Sequence, residues 1–154
     1  LLLAGPERVG DPYGDTLRAQ AAAAGVSDAV QFLGLVSGPS KDALLARADL
    51  LWLPSHMESF GNVVVEALAA GTPVLAANST PWQELEAQRV GRCLPAEPEA
   101  CAQATAQLLR LYPRESFRER CRTVAAERYS WYGVQAQLQC LYDTVLARHA
   151  DLLG

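Results

Sequence analysis

Two glutamates, Glu58 and Glu66, stand eight positions apart in the stretch ESFGNVVVEALAAGTPVLAAN, which runs from residue 58 to residue 78. A carboxylate pair can act as acid and base in glycoside hydrolysis, or each carboxylate can accept hydrogen bonds from the hydroxyls of a bound sugar. Between them, Gly61 and Asn62 predict the start of a helix, with Asn62 as its N-cap. The stretch therefore predicts a helix start with a carboxylate on either side.

A helix start is suited to binding phosphate groups. Its first backbone N–H groups lack partners within the helix, and the positive end of the helix dipole favours an anion. Gly61 would let a ligand approach the backbone closely. Glu66, one turn further on, is repelled by phosphate but can accept two hydrogen bonds from ribose hydroxyls, and Glu58 can do the same for a second sugar. A nucleotide diphosphate sugar has this order of groups.

The same spacing also fits a purely structural arrangement. Glu66 would then stabilise the first turns of the helix against its dipole, an effect of about a few tenths of a kcal/mol, while Glu58 is solvated. On spacing alone, neither interpretation is favoured over the other.

Short apolar runs alternate with helical patterns along the chain. Strands are predicted over 1–4, 30–33, 50–53, 74–77 and 91–94. Helices are predicted over 13–24, 39–48, 62–70, a short piece capped by Thr80 and Gln83, 97–111, 113–128 and a terminal amphipathic helix over 130–149. This order predicts the α/β class, a Rossmann-like parallel sheet with helices on both faces. Glu58 then follows a strand at the carboxyl edge, where such folds bind ligands.

Composition limits the classes of partner. The chain has 154 residues, a net charge of −4 and a pI near 5.1, which favours one globular domain and disfavours nucleic acid or an anionic membrane surface as partners. Four cysteines lack metal-binding spacing, so we interpret them as reduced packing residues. No apolar run is long enough to span a membrane. We therefore expect a cytoplasmic protein.

The residues around the two glutamates resemble the signature of retaining glycosyltransferases with the GT-B fold, the family often called glycosyl transferases group 1. The shared residues are the Glu-x7-Glu pair, Phe60-Gly61, Glu66-Ala67 and the turn over 71–74. The stretches LLLAGPE, VQFLGLV, KDALLARADLLWLPS and YSW are similar, in this order, to elements of the family's C-terminal half. The resemblance thus covers nearly the whole chain.

The resemblance implies that residues 1–154 are a nucleotide-sugar-binding domain, the C-terminal half of a GT-B fold. Because the chain begins inside a predicted strand, we expect it to be truncated at its N-terminus, without a first strand and without the N-terminal acceptor domain. The arginine and lysine that the family uses for the diphosphate would also be missing. Any membrane contact, at the inner face, would be made through that missing half, and the fragment alone is expected to bind donor weakly and to be inactive.

The implied reaction is transfer of a hexose from a nucleotide diphosphate sugar to a hydroxyl acceptor with retention, without cofactor or metal, in polysaccharide or glycolipid synthesis. Glu58 is the implied catalytic contact to the donor sugar, and Glu66 holds the ribose. Lys41 equally fits an exposed charge in the first turn of a helix, and Arg8 is a further candidate phosphate neighbour. The other implied donor-binding residues are Ser59, Phe60, Gly61, Asn62, Val63 and, beside the nucleobase, Val36 and Lys41.

The sequence departs from the family at NSTPWQE, residues 78–84, where many members have a glycine pair and then Pro-Glu. Trp82 there could line an acceptor or interdomain surface, although packing is the commoner role of such an aromatic. An alternative function is a non-catalytic nucleotide-sugar-binding module, or a partner subunit of a two-chain transferase. A dinucleotide-binding oxidoreductase is disfavoured because PERVGD, after the first strand, lacks GxGxxG.

Overall fold

The computed structural model describes residues 1–6, 10, 12–111 and 114–153, and the candidate phosphate neighbour Arg8 lies outside them. The chain divides into two compact units, residues 1–43 and residues 44–154. Each unit contains a parallel sheet of its own.

The first unit is built on two parallel strands. Its elements are β1 (Leu2–Ala4), α1 (Tyr13–Ala23), a 3₁₀ turn (Ser27–Ala29), β2 (Gln31–Gly34) and the start of α2 (Gly38–Arg47). Leu3 lies opposite Phe32 in the β1–β2 pair. α1 ends at Gly25 as predicted, because Gly25 has a φ of 69° and donates its N–H to the carbonyl of Ala22.

The second unit is a three-stranded parallel sheet with four further helices. Its strands lie in the order β3, β4, β5, and Ala76 of β4 lies opposite Leu53 of β3 and Cys93 of β5. This confirms the predicted parallel pairing. The elements are β3 (Leu51–Leu53), α3 (Asn62–Ala69), β4 (Val74–Ala77), a 3₁₀ turn (Gln83–Leu85), β5 (Gly91–Leu94), α4 (Pro98–Leu111), α5 (Arg114–Tyr129) and α6 (Trp131–Leu153).

The central strand β4 is covered by helices on both faces. All four of its residues are buried, as its unbroken apolar run predicts. Val74 and Ala76 belong to a core cluster with residues of α3 and α5, whereas Leu75 belongs to a second cluster with residues of α4. Because neighbouring residues of a strand point to opposite faces, the two clusters lie on opposite sides of the sheet. The fold class predicted from the sequence is therefore confirmed.

Gly91 lets β5 pair with β4, and its replacement by alanine should destabilise the second unit. A Cβ at position 91 would lie 1.9 Å from the carbonyl oxygen of Val74, a backbone atom of the paired strand. β5 must then move away from β4, and we expect Gly91→Ala to lower the free energy of unfolding by about 3 kcal/mol. Urea unfolding measures this loss. In the control Gly5→Ala the added Cβ meets nothing within 4 Å, so equal losses in both variants would contradict the prediction.

The four cysteines are free thiols, as expected. Cys101 and Cys121 are buried and Cys93 is partly buried, so packing is their role. Cys140 is exposed on α6, and the packing interpretation is therefore wrong for this one residue. Its position on a helix with little cover explains the difference.

Burial of Cys121 should make stability fall at alkaline pH. Burial, which outweighs the opposing effect of neighbouring arginines, raises the pKa of the Cys121 thiol from 9.0 to about 12. Between these values the unfolded state has released a proton that the folded state still holds, so stability is lost as the pH rises, by up to about 1.4 kcal/mol per pH unit. Urea unfolding from pH 8.5 to about 10.5 should therefore show a shallower decline for Cys121→Ala. Cys140→Ala should follow the wild type, and identical slopes in all three would contradict the prediction.

The apolar stripe of α6 is exposed. Trp131 is 85% exposed and Leu141 is 57% exposed, and Leu138, Tyr142 and Val145 are exposed as well. The sequence predicts that this stripe packs on the core or on an interdomain seam. The core alternative is wrong for these side chains because they are exposed, and the seam stays a prediction. None of the described helices is long and apolar enough to cross a membrane.

Candidate functional site

The loop that carries Glu58 leaves the carboxyl edge of the second sheet, as predicted. β3 ends at Leu53 and its parallel neighbour β4 ends at Ala77, so the segments that follow both strands lie at the same edge. The hydroxyl of Ser79, after β4, donates to the carbonyl of Ser55, after β3, at 2.7 Å. Glu58 is half-buried in this loop, at the edge where open α/β folds bind ligands.

Gly61, and not Asn62, is the N-cap of α3. The predicted cap at Asn62 is wrong, because Gly61 has φ 77° and ψ 67° and Asn62 is already the first helical residue. Glycine enters this left-handed conformation at little cost, so the chain turns into the helix one residue earlier than an asparagine cap would allow. No side chain caps the helix, which leaves its first amides uncovered by a capping group.

The start of α3 can bind an anion through its backbone. Within the described residues, the amides of Gly61, Asn62 and Val63 make no backbone hydrogen bond, and the first such bond runs from Val64 to the Gly61 carbonyl at 2.9 Å. The dipole adds about half a positive charge at this end. Unpaired amides and positive potential together form a cradle for a phosphate group.

The side chain of Glu58 lies against Gly61. A Cβ at position 61 would lie 3.1 Å from Cγ of Glu58, 3.2 Å from Cδ2 of Leu53 and 3.4 Å from Nε1 of Trp82. Glycine is therefore favoured by its positive φ, and a Cβ would require its neighbours to move by a few tenths of an ångström. This contact places the Glu58 carboxylate next to the helix start.

Glu66 lies one turn inside α3, on the face away from the core. The buried stripe of the helix is formed by Val64, Ala67 and Leu68, and Glu66 is half-buried. It follows Asn62 by four residues, about 6 Å along the axis, and helical side chains lean toward the N-terminus. Since α3 has no acidic residue in its first turn, where the dipole effect is concentrated, stabilisation by the dipole is the weaker explanation of Glu66.

α3 stops where the sequence predicts. Gly71 has a φ of 84° and donates its N–H to the carbonyl of Leu68 at 2.9 Å. Thr72 donates its N–H to the carbonyl of Ala67 at 2.7 Å, which completes the left-handed glycine cap. α3, whose start lies at the binding edge, therefore has a well-defined C-terminal end.

The segment after β4 forms a tight turn instead of the predicted capped helix. The Thr80 hydroxyl donates to the Ala77 carbonyl at 2.6 Å, and the Gln83 side chain donates to the Thr80 carbonyl at 2.6 Å. These side-chain hydrogen bonds run back to carbonyls of the turn, no side chain caps the segment, and only a 3₁₀ turn over Gln83–Leu85 forms. Trp82 is 1% exposed, which confirms its packing role and rules out its lining an acceptor surface in this conformation.

Sequence reasoning missed a polar cluster behind the loop. The Tyr129 hydroxyl donates to Oε1 of Glu84, and Arg128 contacts Oε2 of the same carboxylate at 2.8 Å. Burial and then the bond to Glu84 raise the pKa of Tyr129. The partners are 45 residues apart, so no local pattern could predict the contact. The one sequence signal that pointed to Tyr129 was the stretch YSW, which is similar to an element of the family.

The structure gathers most of the predicted site residues on one loop and one helix. Glu58 and Glu66 flank Ser59, Phe60, Gly61, Asn62 and Val63 in the second unit. Val36 and Lys41 belong to the first unit, where both are half-buried, and their place beside a nucleobase stays a prediction. Across the described ranges, no three His, Cys, Asp or Glu side chains are grouped so that they could hold a metal ion. Independence from metal also stays a prediction.

A parallel α/β fold with a helix start between two glutamates, at the carboxyl edge of the sheet, is typical of GT-B glycosyltransferases. The chain belongs to the glycosyl transferases group 1 family, whose sequence profile matches residues 1–128. This confirms the resemblance found in the sequence.

Several relatives and solved structures that are similar to this chain are named as glycosyltransferases or mannosyltransferases. It is 38% identical over 138 residues to the phosphatidyl-myo-inositol mannosyltransferase of Mycobacterium leprae, covering 86% of this chain and 36% of the relative. The HepE structure from Anabaena in complex with UDP-glucose matches with a TM-score of 0.77 at 26% identity, over 93% of this chain and 40% of that one. WaaG, a glycosyltransferase involved in lipopolysaccharide biosynthesis, matches with a TM-score of 0.69 at 28% identity, over 84% and 34% of the two chains. The chain thus spans about a third of the length of the curated relatives it matches.

Proposed function

We propose that this chain is the donor-binding part of a retaining hexosyltransferase and that it binds a nucleotide diphosphate sugar between Glu58 and Glu66. The observation that carries the proposal is the uncapped start of α3, which leaves three amides without backbone hydrogen bonds between the two carboxylates. A ligand with a sugar, a diphosphate and a ribose in sequence has its groups in the same order as this site.

The amides of Gly61, Asn62 and Val63 would bind the diphosphate and stabilise the charge that develops on it when the bond to the sugar breaks. Fixed backbone dipoles need no reorganisation at that moment, and this is why they are effective in catalysis. The helix start contributes about half a positive charge to the site. In the whole protein, the arginine and the lysine that the family places just before the stretch matched here would complete the site.

Glu58 and Glu66 would hold the two sugars at the ends of the donor. Glu66 accepts hydrogen bonds from the ribose hydroxyls, and Glu58, held against Gly61, accepts them from the hexose. Glu58 orients the hexose for transfer to an acceptor hydroxyl. We assign it no role as a covalent nucleophile. The chain's residues supply binding and orientation, with neither cofactor nor metal required.

The relatives support a hexose donor and a role in glycolipid or polysaccharide synthesis. One is a phosphatidyl-myo-inositol mannosyltransferase, and a structural neighbour was crystallised with UDP-glucose. In the whole protein we propose cytoplasmic transfer, with any contact to the membrane surface made by the acceptor-binding domain.

Isothermal titration calorimetry with UDP-, GDP- and ADP-sugars tests the proposal. We expect one nucleotide series to bind, and the nucleoside diphosphate to bind at least about tenfold more tightly than the nucleoside, because the cradle recognises phosphate. Gly61→Ala should reduce this preference, since alanine is strained at the positive φ of this position and its Cβ would push against Glu58 and Leu53, whereas Gly5→Ala should keep it. Equal affinity for nucleoside and nucleoside diphosphate would contradict the proposal. Tight donor binding without transfer by the whole protein would favour a non-catalytic binding module.

A further inference from the structure

Trp82 connects the donor loop to the end of α5. Its ring centroid lies 5.1 Å from that of Phe60 on one side and 5.5 Å from that of Tyr129 on the other. Its indole N–H donates a hydrogen bond to the carbonyl of Phe60, the residue directly before Gly61. A fully buried side chain thus has its one polar atom bonded to the backbone of the loop.

The turn that carries Trp82 is held in place from α5. Glu84, two residues after Trp82, accepts a hydrogen bond from the Tyr129 hydroxyl. It also forms an ion pair with Arg128 at 2.8 Å. Both oxygens of the Glu84 carboxylate are therefore used, one by each partner. Tyr129 also packs edge-on against Trp82, so the same residue fixes the turn and the indole ring.

The hydrogen bond from Trp82 determines the direction of one cradle amide. The Phe60 carbonyl and the Gly61 N–H belong to one planar trans peptide unit, in which the C=O and N–H bonds point in opposite directions. Since the carbonyl is bonded to the buried indole, the Gly61 N–H must point away from the core. Loss of that bond would let the Phe60–Gly61 peptide plane rotate.

We propose that Trp82, supported by Tyr129 and Glu84, is a positioning residue that aims the Gly61 amide at the donor diphosphate. This inference rests on the proposed function of the α3 start. It adds a role for a core aromatic and for the end of α5, neither of which touches the donor. The indole N–H of Trp82, and not only the size of its ring, thus contributes to donor binding.

Binding of UDP, with GDP and ADP in parallel, tests the role of the indole N–H. Trp82→Phe keeps an aromatic ring but lacks the donor, and we expect it to weaken nucleoside diphosphate binding about tenfold while nucleoside binding is unchanged. The matched control is Trp131→Phe, because Trp131 is 85% exposed, and its affinity should stay within about twofold of wild type. Tyr129→Phe removes only the hydroxyl and should weaken diphosphate binding by a smaller factor, about threefold. If Trp82→Phe does not fold, the diphosphate affinity of Tyr129→Phe still tests the positioning role.

Fluorescence separates positioning from packing. The chain has three tryptophans, so Trp52→Phe/Trp131→Phe leaves Trp82 as the sole emitter. We expect its emission to change saturably with UDP, GDP or ADP, whichever binds, and not with the matching nucleoside. Unchanged emission at calorimetric saturation, together with wild-type affinity in Tyr129→Phe, would overturn the positioning role alone. Failure of all three diphosphates to bind the wild type would instead overturn the proposed function.

Discussion

Replacement of Glu66 by alanine is expected to weaken donor binding about a hundredfold. The carboxylate would accept two hydrogen bonds from the ribose, each worth about 1.5 kcal/mol for a charged acceptor, and a loss of about 3 kcal/mol corresponds to this factor. Glu66→Gln retains an acceptor oxygen and should lose less. Calorimetric titration of the whole protein with its nucleotide diphosphate sugar measures both effects.

Glu119→Ala is the control for the ribose contact. Glu119 is an exposed glutamate on α5, so its removal takes away the same charge from a helix outside the site. We expect its donor affinity to equal that of the wild type. The ribose role of Glu66 is wrong if Glu66→Ala binds donor as tightly as Glu119→Ala does.

Replacement of Glu58 by alanine is expected to lower turnover about a hundredfold and to leave the fold intact. Glu58 orients the hexose, and misplacement of a reacting group by about an ångström can cost this factor in rate. Its side chain lies in a loop, so the melting temperature should change little. Measurements of kcat, donor KM and thermal unfolding on the whole protein distinguish the two effects.

His56→Ala is the control for the orienting role. His56 is exposed in the same loop, two positions before Glu58, and we assign it no contact to the donor. Its kcat should stay near the wild-type value. A kcat for Glu58→Ala as high as that of His56→Ala would show that the hexose is oriented by other groups.

The strands and the position of Glu58 could be predicted because both depend on local patterns. The unbroken apolar run of β4 predicts a central buried strand, and the structure buries all four of its residues. Gly71 predicts the end of α3, since a residue with positive φ follows a helix there. Glu58 lies at the carboxyl edge because it follows β3, and parallel pairing puts all such loops at one edge.

The start of α3 shows the limit of local rules. Asn62 is a good N-cap by residue type, but the cap is Gly61, which has a left-handed backbone and lies where a Cβ would come close to Leu53 and Trp82. These two neighbours are 8 and 21 positions away from Gly61 in the sequence. N-cap preferences depend on residue type alone, so they do not include the effect of such distant neighbours.

The polar cluster and the exposure of the last helix could not be predicted, for a similar reason. The pairing of Glu84 with Tyr129 joins residues 45 positions apart, and one sequence contains no signal for such a pair. The stripe of α6 has helical spacing whether or not a partner covers it, so periodicity predicts an apolar face and not its burial. In the structure Trp131 and Leu141 are exposed on that face.

A crystal structure of the whole protein with its nucleotide diphosphate sugar tests the central claim most directly. We predict that the ribose hydroxyls lie within hydrogen-bonding distance of Glu66, that the diphosphate lies on the amides of Gly61, Asn62 and Val63, and that the hexose contacts Glu58. A donor bound elsewhere, or one whose diphosphate leaves these amides uncontacted, would contradict the claim.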